Sequence, residues 1–230
     1  MSYFTFMLII TGISIPAGIL AGSGAVFVFN RIPDAWFAGP GGDLPQELVS
    51  EQGQRIKSVP WKMVFSAFFS VSGIYMGMND WHYAIPASAA IWFLLELGAG
   101  AYKYGAVSEK LVMFLGLTGI GLVPFQGDIL TPFLGACAGT GAMLAIKIAE
   151  RFLLGKKHTD ISEIALCGAA GLITGPRGVC IIIIASACAA GIAAGWRMLR
   201  RRKRSERMMF MGTFVCFFSV IYMLLLFTVL

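Results

Sequence analysis

Apolar residues fall in long blocks along this chain, separated by short polar or basic stretches. A helix crosses the hydrocarbon core of a bilayer with about 20 predominantly apolar residues. On that measure the blocks 3–29, 63–79, 84–101, 111–125, 131–149, 164–176, 179–196 and 208–230 read as spans. Several are short, and 164–176 would need local thinning of the bilayer to cross it. Pro176-Arg177-Gly178 is a turn signal, which predicts two helices there and not one. The expected fold class is an all-α integral membrane protein, a bundle of about eight transmembrane helices, with a single membrane domain over 1–230. The stretch 30–62 is predicted to be an irregular loop, given Gly39-Pro40-Gly41-Gly42 and Pro45. The first block lacks a basic region before it, and Asn30-Arg31 stands where a small-residue cleavage site would be expected. It is therefore predicted to be a retained helix.

The basic residues give these blocks a direction. If the N-terminus lies outside, the inward loops carry Arg31, Arg55, Lys57 and Lys62, then Lys103 and Lys110, then Lys147, Arg151, Lys156 and Lys157. The last inward loop carries Arg197, Arg200, Arg201, Arg202, Lys203, Arg204 and Arg207. Of the 18 lysines and arginines, Arg177 alone falls outside. Such asymmetry is the mark of cytoplasmic loops, and it predicts both termini outside. Adding or removing one span would scramble it.

Composition narrows the function classes. Hydrophobic residues make up 57% and charged residues 13%, about half the share a soluble domain uses to coat itself. The net charge of +6 sits in loops beside apolar blocks, so it predicts topological anchoring and attraction to anionic membrane lipids, with no nucleic acid as partner. Cys137, Cys167, Cys180, Cys188 and Cys216 lie in apolar blocks without a C-x-x-C or a nearby histidine pair. They are expected to be small buried packing residues, and no metal or cofactor is predicted. His82 and His158 fall on opposite sides, which leaves no basis for a Ser/His/Asp arrangement. Four G-x-x-x-G pairs, Gly18/Gly22, Gly73/Gly77, Gly135/Gly139 and Gly191/Gly195, are expected to let helices approach closely.

Ionisable residues inside a membrane are candidate functional groups. Glu96, in Phe93-Leu94-Leu95-Glu96-Leu97, is the carboxylate well inside a span. It is read either as a structural group bonded to a neighbouring helix or as a proton-binding or substrate-contacting one. Lys147 is expected to snorkel from a helix end. Asp160 and Glu163 stand three apart before the sixth block, so on a helix they share one face. They would equally suit a helix N-terminus, whose dipole favours acids.

The order of these segments resembles the prepilin leader peptidases, membrane aspartic proteases that process type IV pilin precursors. Residues 18–33, GILAGSGAVFVFNRIP, are similar to that family's first helix and exit, G-S-F-x-N-V-x-x-x-R-x-P. Residues 93–111, FLLELGAGAYKYGAVSEKL, resemble L-L-x-L-x-x-x-D-x-x-x-x-x-x-P-D-x-L. Residues 161–176, ISEIALCGAAGLITGP, resemble G-x-G-D-x-K-L-x-A-A-L-G-x-x-x-G.

The resemblance implies an eight-helix fold in the bacterial cytoplasmic (inner) membrane, acting in a type IV pilus or type II secretion-like system. It implies two catalytic aspartates at the cytoplasmic edge, one a base that activates water and the other a protonated donor. Here Ala101 occupies the first position and Glu163 the second. The lysine that follows the second is Ala165, the G-x-G before it is replaced by Ile161-Ser162, and the P-D after the first is Ser108-Glu109. The favoured reading is a homologue without peptidase activity that still binds prepilin-like signal helices or pilus and secretion components. A second is an active aspartic-type endopeptidase with a substituted carboxylate pair, Glu163 with Asp160 or Glu96. A small transporter or a structural membrane component is a third. Loop 30–62 has no cysteine, and the two cysteine pairs of members with methyltransferase activity are therefore missing.

Overall fold

The structure, a computed structural model, describes residues 3–38, 45, 48, 54–154, 161–199 and 211–226. Seven α-helices carry almost all of it, and no strand occurs among the described residues. They are α1 (Tyr3–Arg31), α2 (Ser58–Asn79), α3 (Trp81–Tyr104), α4 (Glu109–Leu122), α5 (Leu130–Leu154), α6 (Ile161–Leu199) and α7 (Met211–Leu226). Four helical stretches are long and apolar enough to cross a membrane: Tyr3–Arg31, Trp81–Tyr104, Leu130–Phe152 and Ile161–Trp196. The expected spans 63–79, 111–125 and 208–230 fall on α2, α4 and α7, which do not meet that measure. α4 and α7 are short, with 14 and 16 residues. In α2 the apolar run is diluted by Ser66, Ser70, Ser72, Gly73 and Gly77.

Those small residues have a packing role. A Cβ on Gly18 would collide with Ser70, and one on Gly22 with the backbone at Phe65 and Ser66, so α1 and α2 lie nearly backbone to backbone. Further along the same seam, Gly73 faces Ser14 and Gly77 faces Ile10. Gly135 and Gly139 serve α5 similarly, against Gly171 and the Cys167 carbonyl of α6. Gly191 and Gly195 differ from expectation, because both face open space and no described helix approaches them. The cysteines divide as well. Cys167 and Cys216 are buried, whereas Cys137, Cys180 and Cys188 lie on the apolar exterior.

Helix α6 reverses direction inside its own span. Gly175 takes φ 70°, ψ 178°, outside any helical region and open to glycine. A Cβ on Gly139 would touch the carbonyl of Cys167 on one side and Val179 Cγ2, at 3.0 Å, on the other. A straight helix would hold residues 167 and 179 about 18 Å apart, so 161–174 and 176–199 are two arms folded back on each other. The reversal lies one residue before the Pro176 boundary expected from the sequence. Pro176 has no N–H for the carbonyl of Leu172. The side-chain amide of Gln126 supplies the missing donor, to Leu172 O at 2.9 Å and Ile173 O at 2.8 Å.

Helix α3 stands at the centre, packed on α2, α4 and α7 and touching α1. Its inner side carries Ala87, Ala90, Ile91, Leu94 and Leu97, all essentially inaccessible. Large apolar side chains cover the outside instead, among them Phe4, Leu20, Met113, Ile148 and Ile192. This inverted distribution suits a hydrocarbon surround.

Candidate functional site

Glu163 stands in the first turn of α6, as its sequence position suggested, but its carboxylate turns sideways into the bundle. Oε2 is 2.7 Å from Lys147 Nζ on α5. Oε1 accepts from the backbone N–H of Gly212, at the start of α7, at 3.3 Å. With 3% of the side chain exposed, Glu163 joins three helices through its two oxygens. The expected snorkelling of Lys147 is overturned. Its side chain is 14% exposed, and its amine points to Glu163, with Glu150 at 3.5 Å as a second acid. The attraction of Glu163 at 2.7 Å, with Glu150 as a second acid, offsets the cost of taking the amine out of water.

Around this pair the bundle is tight. Gly212 also abuts Val107 and Leu166, and Cys216, one turn on, packs on Gly98 of α3. Ala101 is buried on α3 at 2% exposure. Its neighbour Gly100 carries the ring of Phe37, which sits 5.2 Å from Tyr104 and 6.1 Å from Phe29 between ring centres. Ala101 itself presents only a methyl group, buried in the apolar core.

Glu96 lies on another side of α3. It lines a narrow void with Ala25 and Phe29 of α1, Phe65 of α2, Ile56, and its own neighbours Leu95 and Ala99. It is 2% exposed, and among the described residues neither carboxylate oxygen has a hydrogen-bond partner. The structural reading of Glu96, as a group bonded to a neighbouring helix, is therefore not what the fold presents. Among the described residues no hydrogen bond or ion pair links Glu96 to Glu163: one faces α1 and α2, the other α5 and α7. Asp160 and His158 lie outside the described residues, as do Lys156, Lys157 and the basic run Arg200–Arg204.

Two polar clusters carry geometry that residue type alone did not reveal. Asn30, at the end of α1, closes a ring with the backbone of Ile56: its Oδ1 accepts from Ile56 N–H at 2.9 Å, and its Nδ2 donates to Ile56 O at 3.1 Å. The same Nδ2 donates to Val26 O at 2.9 Å. Beside it Arg55 bonds Asp34 and the Phe29 carbonyl, and Lys103 of α3 donates to the Arg55 carbonyl. The signal for Asn30 was a lone amide closing an apolar run. Gln126 gave no signal beyond its place in a short loop.

A groove of about 540 Å³ opens between α4, α5 and the first arm of α6. Glu109 and Ser162 stand at one end, and Gly116, Ala136, Ala165 and Gly168 form its walls. Glu109 is exposed, while Ser162 is buried. The groove has the small-residue lining that lets a helix approach closely. No family model, curated protein or solved structure matches the chain.

Proposed function

We propose that this chain is a multi-pass protein of the bacterial cytoplasmic membrane, built on a prepilin-peptidase-like frame from which the hydrolytic chemistry has been lost. In this reading it crosses the bilayer eight times, with both termini outside and the basic loops in the cytoplasm. It holds prepilin-like signal helices, or helical components of a pilus or secretion assembly, without cutting them. The observation that carries the reading is the state of Glu163. A carboxylate that activates water must present an oxygen to that water. Glu163 has one oxygen on Lys147 and the other on Gly212 N–H, in a nearly inaccessible site. Its family partner position, Ala101, offers no acid, and the nearest alternative on α3, Glu96, faces other helices.

The groove beside Ser162 offers a lateral surface on which a partner helix would lie. Co-expression with a type IV prepilin, read by gel shift, tests the loss of hydrolysis. The expected result is an intact leader whether residue 163 is Glu or Gln. Leader removal by the wild type that disappears in Glu163→Gln overturns the reading in favour of an active substituted pair. A photo-crosslinker at Gly116 should capture the co-expressed prepilin, and capture should fall several-fold when Ala165→Trp fills the groove.

A further inference from the structure

We infer that Glu96 is a proton-binding site closed by Ile56, so that exchange of its proton with water requires the 55–57 segment to lift from α1. This inference is independent of the peptidase-like reading. Three observations carry it together. The carboxyl is 2% exposed and both its oxygens are unpartnered. The void it lines is walled by apolar side chains and is too narrow to admit a water molecule. The backbone of Ile56, the lining residue that comes from the segment before α2, is pinned by the paired hydrogen bonds of Asn30.

An ionised carboxylate in such surroundings would need a donor or a counter-charge, since burial without either is strongly unfavourable. Among the described residues, the elements around it offer none in place. From α1 the wall is Ala25 and Phe29, and the nearby Asn30 amide is committed to Ile56 and Val26. From α2 it is Phe65, with Lys62 nearly one turn earlier in the helix. Of the nearby cations, Arg55 is engaged with Asp34 and the Phe29 carbonyl, Lys103 of α3 with the Arg55 carbonyl, and Lys57, next to Ile56, is exposed. A proton is the ligand that satisfies the carboxyl without moving these walls. Release of that proton leaves a charge that the closed cavity cannot hold, so ionisation and lifting of Ile56 are one coupled event. The cluster Asn30–Ile56–Arg55–Lys103 then acts as the latch of a buried acid.

Infrared spectroscopy of the full chain in lipid vesicles at neutral pH tests this directly. The wild type should show the carbonyl stretch of a protonated carboxylic acid without a hydrogen-bond partner. Glu96→Gln should remove that band; should this variant fail to accumulate, Glu96→Asp identifies the same band by shifting it. On transfer to heavy water the band should exchange slowly in the wild type. It should exchange roughly tenfold faster or more in Asn30→Ala, which loses the hydrogen bonds to Ile56. Asn30→Asp, which keeps the acceptor for Ile56 N–H, should fall between. A wild-type spectrum without the band, or a band unaltered by either Glu96 substitution, overturns the proton site. Equal exchange in wild type and Asn30→Ala overturns the latch.

Discussion

A carboxylate among apolar helices has to be met by a cation, a hydrogen-bond donor or a proton, and Glu163 and Glu96 are treated differently. Glu163 has a lysine and an amide N–H; Glu96 has neither. The consequences for substitution differ accordingly. Replacing Lys147 with Met leaves Glu163 buried beside no counter-charge, and should cost about 3–5 kcal/mol, read as loss of thermal stability in detergent. The double variant Lys147→Met, Glu163→Leu removes both charges and should recover most of that loss. A Lys147→Met protein as stable as the wild type would show that the pair does not hold α5 to α6. The sequence marked both glutamates as residues to watch, Glu96 as a charge inside an apolar block and Glu163 by its spacing from Asp160 just before one. It could not say which had a partner, since Lys147 and Glu163 are brought together by the crossing of α5 and α6, and Gly212 arrives from a third helix.

At the scale of elements, the decisive feature is the reversal of α6 at Gly175. A helix that stops inside an apolar bundle leaves carbonyls without N–H partners, and these need donors from elsewhere. Gln126, in the turn after α4, supplies them for Leu172 and Ile173. Gln126→Leu keeps similar bulk and removes the donor, and should destabilise the fold by about 1–3 kcal/mol. An unchanged melting temperature in that variant would mean the two carbonyls are satisfied otherwise. Gly171→Val should be more severe, because a side chain there meets the Gly135 backbone and forces α5 away from the first arm of α6. The position of the break was legible from Pro176 and its flanking glycines, whose backbone chemistry is local. Which G-x-x-x-G pairs are used was not. Gly135/Gly139 and Gly191/Gly195 have the same spacing, and only tertiary packing distinguishes the pair pressed on a neighbouring backbone from the pair facing open space.

The whole molecule has two ends, and its contacts sort the chain between them. Asn30 with Ile56, Lys103 with the Arg55 carbonyl, Lys110 over Trp36, Lys147 with Glu163, and Glu163 with Gly212 gather at one end. Ile10 against Gly77, Tyr83 against Phe125, Gln126 against Leu172, and Tyr222 against Gly178 gather at the other. Every basic residue in the first set of contacts belongs to loops that charge counting assigned inward, and Arg177 belongs to the second end. Length and hydropathy alone single out four helical stretches, because α2, α4 and α7 are short or rich in small polar residues used for packing. Charge asymmetry is a separate reading from hydropathy, since it depends on loops rather than on helix composition. The proposed function rests on sidedness: it requires eight crossings from an outside N-terminus, which would set Ala101 and Glu163 at the cytoplasmic edge. A compartment-sensitive reporter fused after Leu230 tests this most directly. We expect it to report the outside of the membrane; a cytoplasmic signal would contradict the eight-crossing arrangement and, with it, the peptidase-like placement of residues 101 and 163.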